Sequence, residues 1–206
     1  MANIIETKAI QVFDSRGIPT ISCKIILDDG TEGLAMVPSG ASTGSKEALE
    51  LRDAEKEYLG KGVLKAVQNI NNVLGPSIIG KNPIEQQLID EILIKSDGTE
   101  DKSEYGANAI LAISLAVSHS ASASNGSNLH EHFAHLYSKI HGKEIDQSIP
   151  MPMLNILNGG EHANNNIDIQ EFMIVPSGAS SFSQAMQWST EVLSLIHISE
   201  PTRLRH

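Results

Sequence analysis

At 206 residues and 40% apolar, the chain has room for one large domain or two modest ones. Aromatics make up only 4%, so any core is built from aliphatic side chains, and a formal net charge of −10 excludes the clustered Lys and Arg that a nucleic acid or an anionic membrane surface needs. The single Cys23 leaves no internal disulfide, the start Met1-Ala2-Asn3-Ile4-Ile5-Glu6 lacks the basic stretch and apolar core of a signal peptide, and the most apolar segment, 107–117, is too short to span a bilayer, so a cytoplasmic protein without a membrane span is expected.

Residues 4–13 read as a first strand, closed by a turn around Ser15-Arg16-Gly17. Ile21, Cys23, Ile25 and Leu27 then alternate with polar residues at the period of a half-buried strand. Asp28-Asp29-Gly30 is a hairpin turn, and Leu34-Ala35-Met36-Val37 returns as a third strand ended by Pro38. The result is a three-stranded antiparallel meander.

Helical spacing follows. Val63, Leu64, Val67, Ile70 and Leu74 form one apolar face, which Gly75-Pro76 is expected to stop. Pro83 is expected to open a second helix with Ile84, Leu88, Ile89, Ile92 and Leu93 inward. Residues 106–124 are apolar or small nearly all round, which predicts a central, closely packed helix ended by Asn125-Gly126, and 129–140 predict a shorter amphipathic one. Strands first and four helices afterwards indicate an α+β domain. Residues 148–152 read as a linker. Apolar runs at 153–157 and 167–175, joined by a glycine- and asparagine-rich connection, predict two further strands, and Ala185, Met186, Trp188 and Val192 mark a last helix.

Three stretches bear on chemistry. Pro38-Ser39-Gly40-Ala41-Ser42-Thr43-Gly44 offers backbone N–H groups and the hydroxyls of Ser39, Ser42 and Thr43, which suit a phosphate or a hard cation, although an ordinary loop reads the same way by composition. It is no Walker A loop, because three residues rather than four separate Gly40 from Gly44 and Ser45 intervenes before Lys46. Asn155-Ile156-Leu157-Asn158-Gly159-Gly160-Glu161-His162-Ala163 and Asp168-Ile169-Gln170-Glu171-Phe172-Met173-Ile174-Val175-Pro176 reinforce each other. If their apolar runs pair antiparallel, His162, Gln170 and Glu171 meet at one rim, where barrel enzymes gather their chemistry. Glu171 shares a strand face with Ile169, Met173 and Val175, so its carboxylate is either an ion-pair partner or part of a site. His162 alone is equally a solvent-facing loop histidine.

Two other patterns carry no site. His130 and His132 face apart on a helix, so with His135 they do not make a zinc set. Asp97-Gly98-Thr99-Glu100-Asp101 has glycine at the second rather than the sixth position of a calcium loop, and Asn108 where the bidentate Glu belongs.

In this order and at these separations the stretches resemble enolase. The likeness extends through Asp14-Ser15-Arg16-Gly17, Glu47-Ala48-Leu49-Glu50-Leu51-Arg52-Asp53 and Gly106-Ala107-Asn108-Ala109-Ile110-Leu111, and covers about residues 4–193. It implies a capping domain over 1–140 and the opening strands and helix of an incomplete α/β, TIM-like barrel over 141–193. It implies a Mg²⁺-dependent lyase interconverting 2-phosphoglycerate and phosphoenolpyruvate, homodimeric at full length. Ala41, Ser42, His162, Gln170 and Glu171 would line the substrate pocket, Glu171 near the reacting hydroxyl and His162 beside it as accessory catalytic groups, with Ser42 also a ligand of the second Mg²⁺.

Residues 194–206 do not continue an enolase and read as a foreign tail. The family's Gly-Asp-Glu-Gly-Gly loop, three metal-binding carboxylates and Lys base do not occur in the 206 residues, so the expectation is an N-terminal piece without activity. The competing hypothesis is a non-catalytic binding or surface-interaction module derived from the same domain.

Overall fold

The computed structural model describes residues 2–40, 44–162 and 164–199. The chain divides into two compact units, Met1–Ile145 and Asp146–His206.

The first unit opens with β1 (Ile4–Phe13), β2 (Pro19–Leu27) and β3 (Glu32–Met36), an antiparallel meander in the order β1-β2-β3. Its turns are made by aspartates. Asp14 Oδ1 accepts the N–H groups of Arg16 and Ile18 at 2.8 and 2.9 Å, while Asp29 Oδ1 accepts Thr31 N–H at 2.8 Å beside Gly30, whose φ of +82° glycine tolerates. The ladder places Cys23 between Ala9 and Ala35, a row of small side chains flanked by the fully buried Ile21, Ile25 and Leu27. Burial pushes the Cys23 thiol up to about 12, so it is inert packing rather than a nucleophile.

The small row exists because a helix presses onto it. Helix α4, given below, packs across β3 and β2, and a Cβ built on Gly33 would stand 2.3 Å from both the Ala116 carbonyl oxygen and the Ser120 nitrogen. Only hydrogen at that position allows the approach.

Two helix boundaries differ from the sequence expectation. Gly75-Pro76 does not stop the first helix: α1 (Leu64–Asn69) runs through a π-helical turn, Ile70–Leu74, into the short α2 (Gly75–Ser77). Pro76 sits in the first turn of the new segment, where its missing N–H costs nothing. The π turn brings Asn71 against β1, whose Ala9 N–H it accepts at 2.8 Å and whose Ala9 carbonyl it donates to at 3.0 Å. Similarly, Pro83 lies in a turn capped by Asn82, and α3 (Gln86–Asp97) begins later; Ile89 and Leu93 are buried, but Leu88 is exposed.

Helix α4 (Ala107–Ser124) is central, as its uniformly small composition requires, with Ala109, Ala112, Ile113, Ala116, Val117 and Ala121 fully buried. Helix α5 (Leu129–His141) starts with a capping box, Asn128 N–H to Glu131 Oε2 at 2.7 Å, and ends at Gly142 with φ +63°.

The second unit contains β4 (Leu154–Asn158), β5 (Glu171–Ile174) and α6 (Phe182–Ser199). Its sheet has two strands, and the described residues form no closed barrel. The second strand is shorter than the expected 167–175, because the backbone of 167–170 bonds to its own loop instead of a ladder. Helix α6 runs without a break into the segment expected to be foreign; residues 200–206 lie outside the described residues.

Candidate functional site

In the second unit the strand register builds the site. Asn158, the last residue of β4, stands opposite Glu171, the first of β5. The connection between them folds back on itself: Gly159 N–H bonds to the Gln170 carbonyl at 2.9 Å, and Gly160 N–H to the Ile167 carbonyl at 2.6 Å. A Cβ on Gly159 would lie 2.5 Å from the carbonyl oxygens of both Ile167 and Ile169, which explains the paired glycines. Asn165 ties the far side, donating to the Asn158 carbonyl at 2.9 Å and accepting Ile167 N–H at 3.0 Å. A 3₁₀ turn over Gly160–His162 then carries the imidazole across the rim.

There His162 Nδ1 meets Glu171 Oε1 at 3.1 Å, with the two side chains 26% and 34% exposed. Glu171 thus has a partner, and that partner is the other titratable residue singled out from the sequence. A carboxylate only accepts, so the Nδ1 position carries the proton in this contact. Gln170 contributes its carbonyl to the loop, and its residue is exposed, immediately before Glu171. The face expected to bury the carboxylate is open in this unit: Ile169, Met173 and Val175 are all exposed, because two strands and one helix do not cover it.

In the first unit, Ala41, Ser42 and Thr43 lie outside the described residues. What precedes and follows them is tightly organised. Arg16, held by Asp14 at 2.8 Å, donates to the Ser39 carbonyl at 3.2 Å. Arg52 donates to the Pro19 and Lys61 carbonyls at 2.6 and 2.7 Å, to Ser39 Oγ at 3.2 Å, and to Glu50 Oε1 at 2.6 Å. One guanidinium thus joins two backbone carbonyls and two side chains from four positions along the chain, which its planar fork of donors permits and an ammonium could not. Downstream, Asn108 takes Leu51 N–H and returns a bond to the Leu51 carbonyl, both at 3.0 Å. Pro38, Ser39, Gly40, Glu47, Glu50 and Asn108 line a cavity of about 230 Å³.

Arg16, Arg52, Asn108 and Asn165 were not singled out as site residues from sequence. The first three stand in stretches that carried the resemblance, but their roles depend on carbonyls from separate segments, which no spacing reveals. Among the described residues no three His, Cys, Asp or Glu side chains converge to hold a metal ion, and none of the helices is long and apolar enough to cross a membrane.

A family model for the enolase N-terminal domain matches residues 4–133, and one for the enolase C-terminal TIM barrel domain matches residues 146–200. The first match spans the meander and the helices through most of α5, and the second spans the His162–Glu171 rim and α6. Two family domains in their proper order, on a meander-plus-helices unit and an opened barrel, place the chain in the enolase family.

Proposed function

We propose that the residues at the β4–β5 rim serve an enolase-type lyase that reversibly dehydrates 2-phosphoglycerate to phosphoenolpyruvate. The observation that carries this is the 3.1 Å contact between His162 and Glu171, two titratable residues of a rim matched to the enolase barrel. Glu171 in this reading faces the reacting hydroxyl, His162 presents Nε2 to the anionic substrate, and the Gln170 amide donates a hydrogen bond. Such groups hold and orient substrate, which lowers part of the barrier. Abstracting the carbon-bound proton needs a base, and none of these residues has that role.

The described residues do not by themselves fit Mg²⁺, since no cluster of ligands converges among them. In this reading Ser42, which lies outside the described residues, would be one ligand of the ion, which would stabilise the charge that develops on the substrate. Cytoplasmic residence and homodimerisation of a longer product belong to the same proposal. They are supported by the single buried Cys23 and by the family.

Two proteins test it. The purified 206-residue polypeptide is expected to give no phosphoenolpyruvate absorbance above background with added Mg²⁺. A product of the same gene read on into a Gly-Asp-Glu-Gly-Gly loop is expected to turn over, and Glu171→Gln in it to lower kcat at least about 100-fold. Turnover by the short polypeptide, or a Glu171→Gln product as fast as its parent, would show the site to be misassigned. A gene with no such continuation would favour the binding-module reading instead.

A further inference from the structure

The residue that anchors α5 is a histidine. Of the helix's thirteen residues only His132 is buried, at 4% exposure, and its Nε2 has no hydrogen-bond partner although no solvent reaches it. An aliphatic side chain would fill the same position without leaving a ring nitrogen unpaired. The imidazole tolerates this only while neutral, because a buried charge without a partner is far more costly than a buried dipole.

The surroundings offer a proton no compensation. Beside His132 lies a cavity of about 240 Å³ lined by Ile84, Asn125, Ser127, Glu131, His135, Leu136 and Lys139. The contributions from outside α5, Ile84 from the turn before α3 and Asn125 and Ser127 from the α4–α5 connection, are uncharged. Helix α4, against which α5 packs, carries one ionisable side chain, His119, and that residue is exposed. Within α5, His135 is one turn along on the same side, Glu131 is committed to capping Asn128, and Lys139 pairs with Glu85 at 3.6 Å. Both nearby carboxylates, Glu131 and Glu85, are thus engaged elsewhere, and neither bonds the His132 Nε2.

We propose that α5 is a proton-sensitive latch: it docks on α4 while the His132 imidazole is neutral and releases when that imidazole is protonated, opening the cavity behind it. Burial, with His135 adding to it, holds the His132 imidazole below the ordinary histidine value. The sign follows from this. Above the undocked value of about 6.5 both states are neutral and docking is at full strength; as pH falls below it, the undocked state takes the proton first and docking weakens.

Hydrogen exchange on the 206-residue protein, corrected for the intrinsic pH dependence of exchange, tests the latch. Peptides spanning 129–141 are expected to open about tenfold more at pH 5.5 than at pH 7.5, while those spanning β2 stay unchanged. His132→Gln and His132→Leu are expected to abolish the pH dependence. Equal protection of α5 at both pH values, or the same loss in the variants, overturns the proposal. Should the variants fail to fold, the imidazole resonances of the wild-type protein decide: His132 must titrate below the ordinary histidine value of about 6.5, and titration at or above it is equally fatal.

Discussion

The two units use similar apolar content to opposite effect. In the first, the side chains of all three sheet strands and the helices close on one another, and Ile4, Ile21, Ile25, Leu27, Ile70, Leu74, Ile89, Leu93 and Ile113 lose all contact with water. In the second, Leu157, Phe172, Met173, Trp188 and Val192 remain exposed, and Ala185 and Ser189 are what α6 buries among its described side chains. The difference lies in closure rather than in composition. A meander covered by helices is complete with five or six elements, whereas a barrel strand is stabilised by neighbours on both edges and a helix outside.

Four substitutions sharpen or break that contrast. The largest effect belongs to Ile113→Ala, which leaves a cavity at a fully buried site on α4 and is expected to cost about 4 kcal/mol by denaturant melting. Leu157→Ala, at a site 43% exposed, is expected to cost less than about 1 kcal/mol. Equal losses at the two positions would mean that the second unit is as well packed as the first. Next comes Gly33→Ala: the added methyl meets backbone of α4 at 2.3 Å, which cannot rotate away, and the expected cost is about 3 kcal/mol. A neutral outcome would mean that the helix rides loosely on the sheet. The smallest is Asn128→Ala, which removes the capping box of α5 for about 1 kcal/mol and should register as faster exchange in the first turn of that helix alone.

How much of this was legible in the sequence follows the same division. Alternation in β2 and the aspartate turns are local signals, and they located the meander with its order. The central position of α4 was readable from its small residues, but that Gly33 sets its distance was not, since Ala116 and Ser120 are more than eighty residues away along the chain. Boundaries failed where a proline was taken as punctuation: Pro76 lies inside a continuous helical path and Pro83 ahead of its helix, because what decides is whether the missing N–H was needed. At the rim, His162 and Glu171 were nominated by position and are brought together. Arg52 was not, because its partners at Pro19, Ser39 and Lys61 are a strand end, a loop and a turn with no shared spacing. His132 shows the opposite limit. Its burial follows from the helical face it occupies, yet nothing in the sequence says that Nε2 would be left unpaired.

The π turn at Ile70–Leu74 has a consequence for chain length. It inserts one residue more per turn than the helical segments on either side, and that extra step is what points the Asn71 amide at the free edge of β1. Together with Lys81 and Gly80, which bond Ile4, it occupies part of the row on which another chain could add. Deleting a single residue between 64 and 77 would turn Asn71 by about 100° around the helix and expose Ala9 N–H and C=O to new pairing. The segment should therefore accept many side-chain exchanges while tolerating no change in its count of residues, and a one-residue deletion there should convert a monodisperse domain into one that polymerises through its first strand.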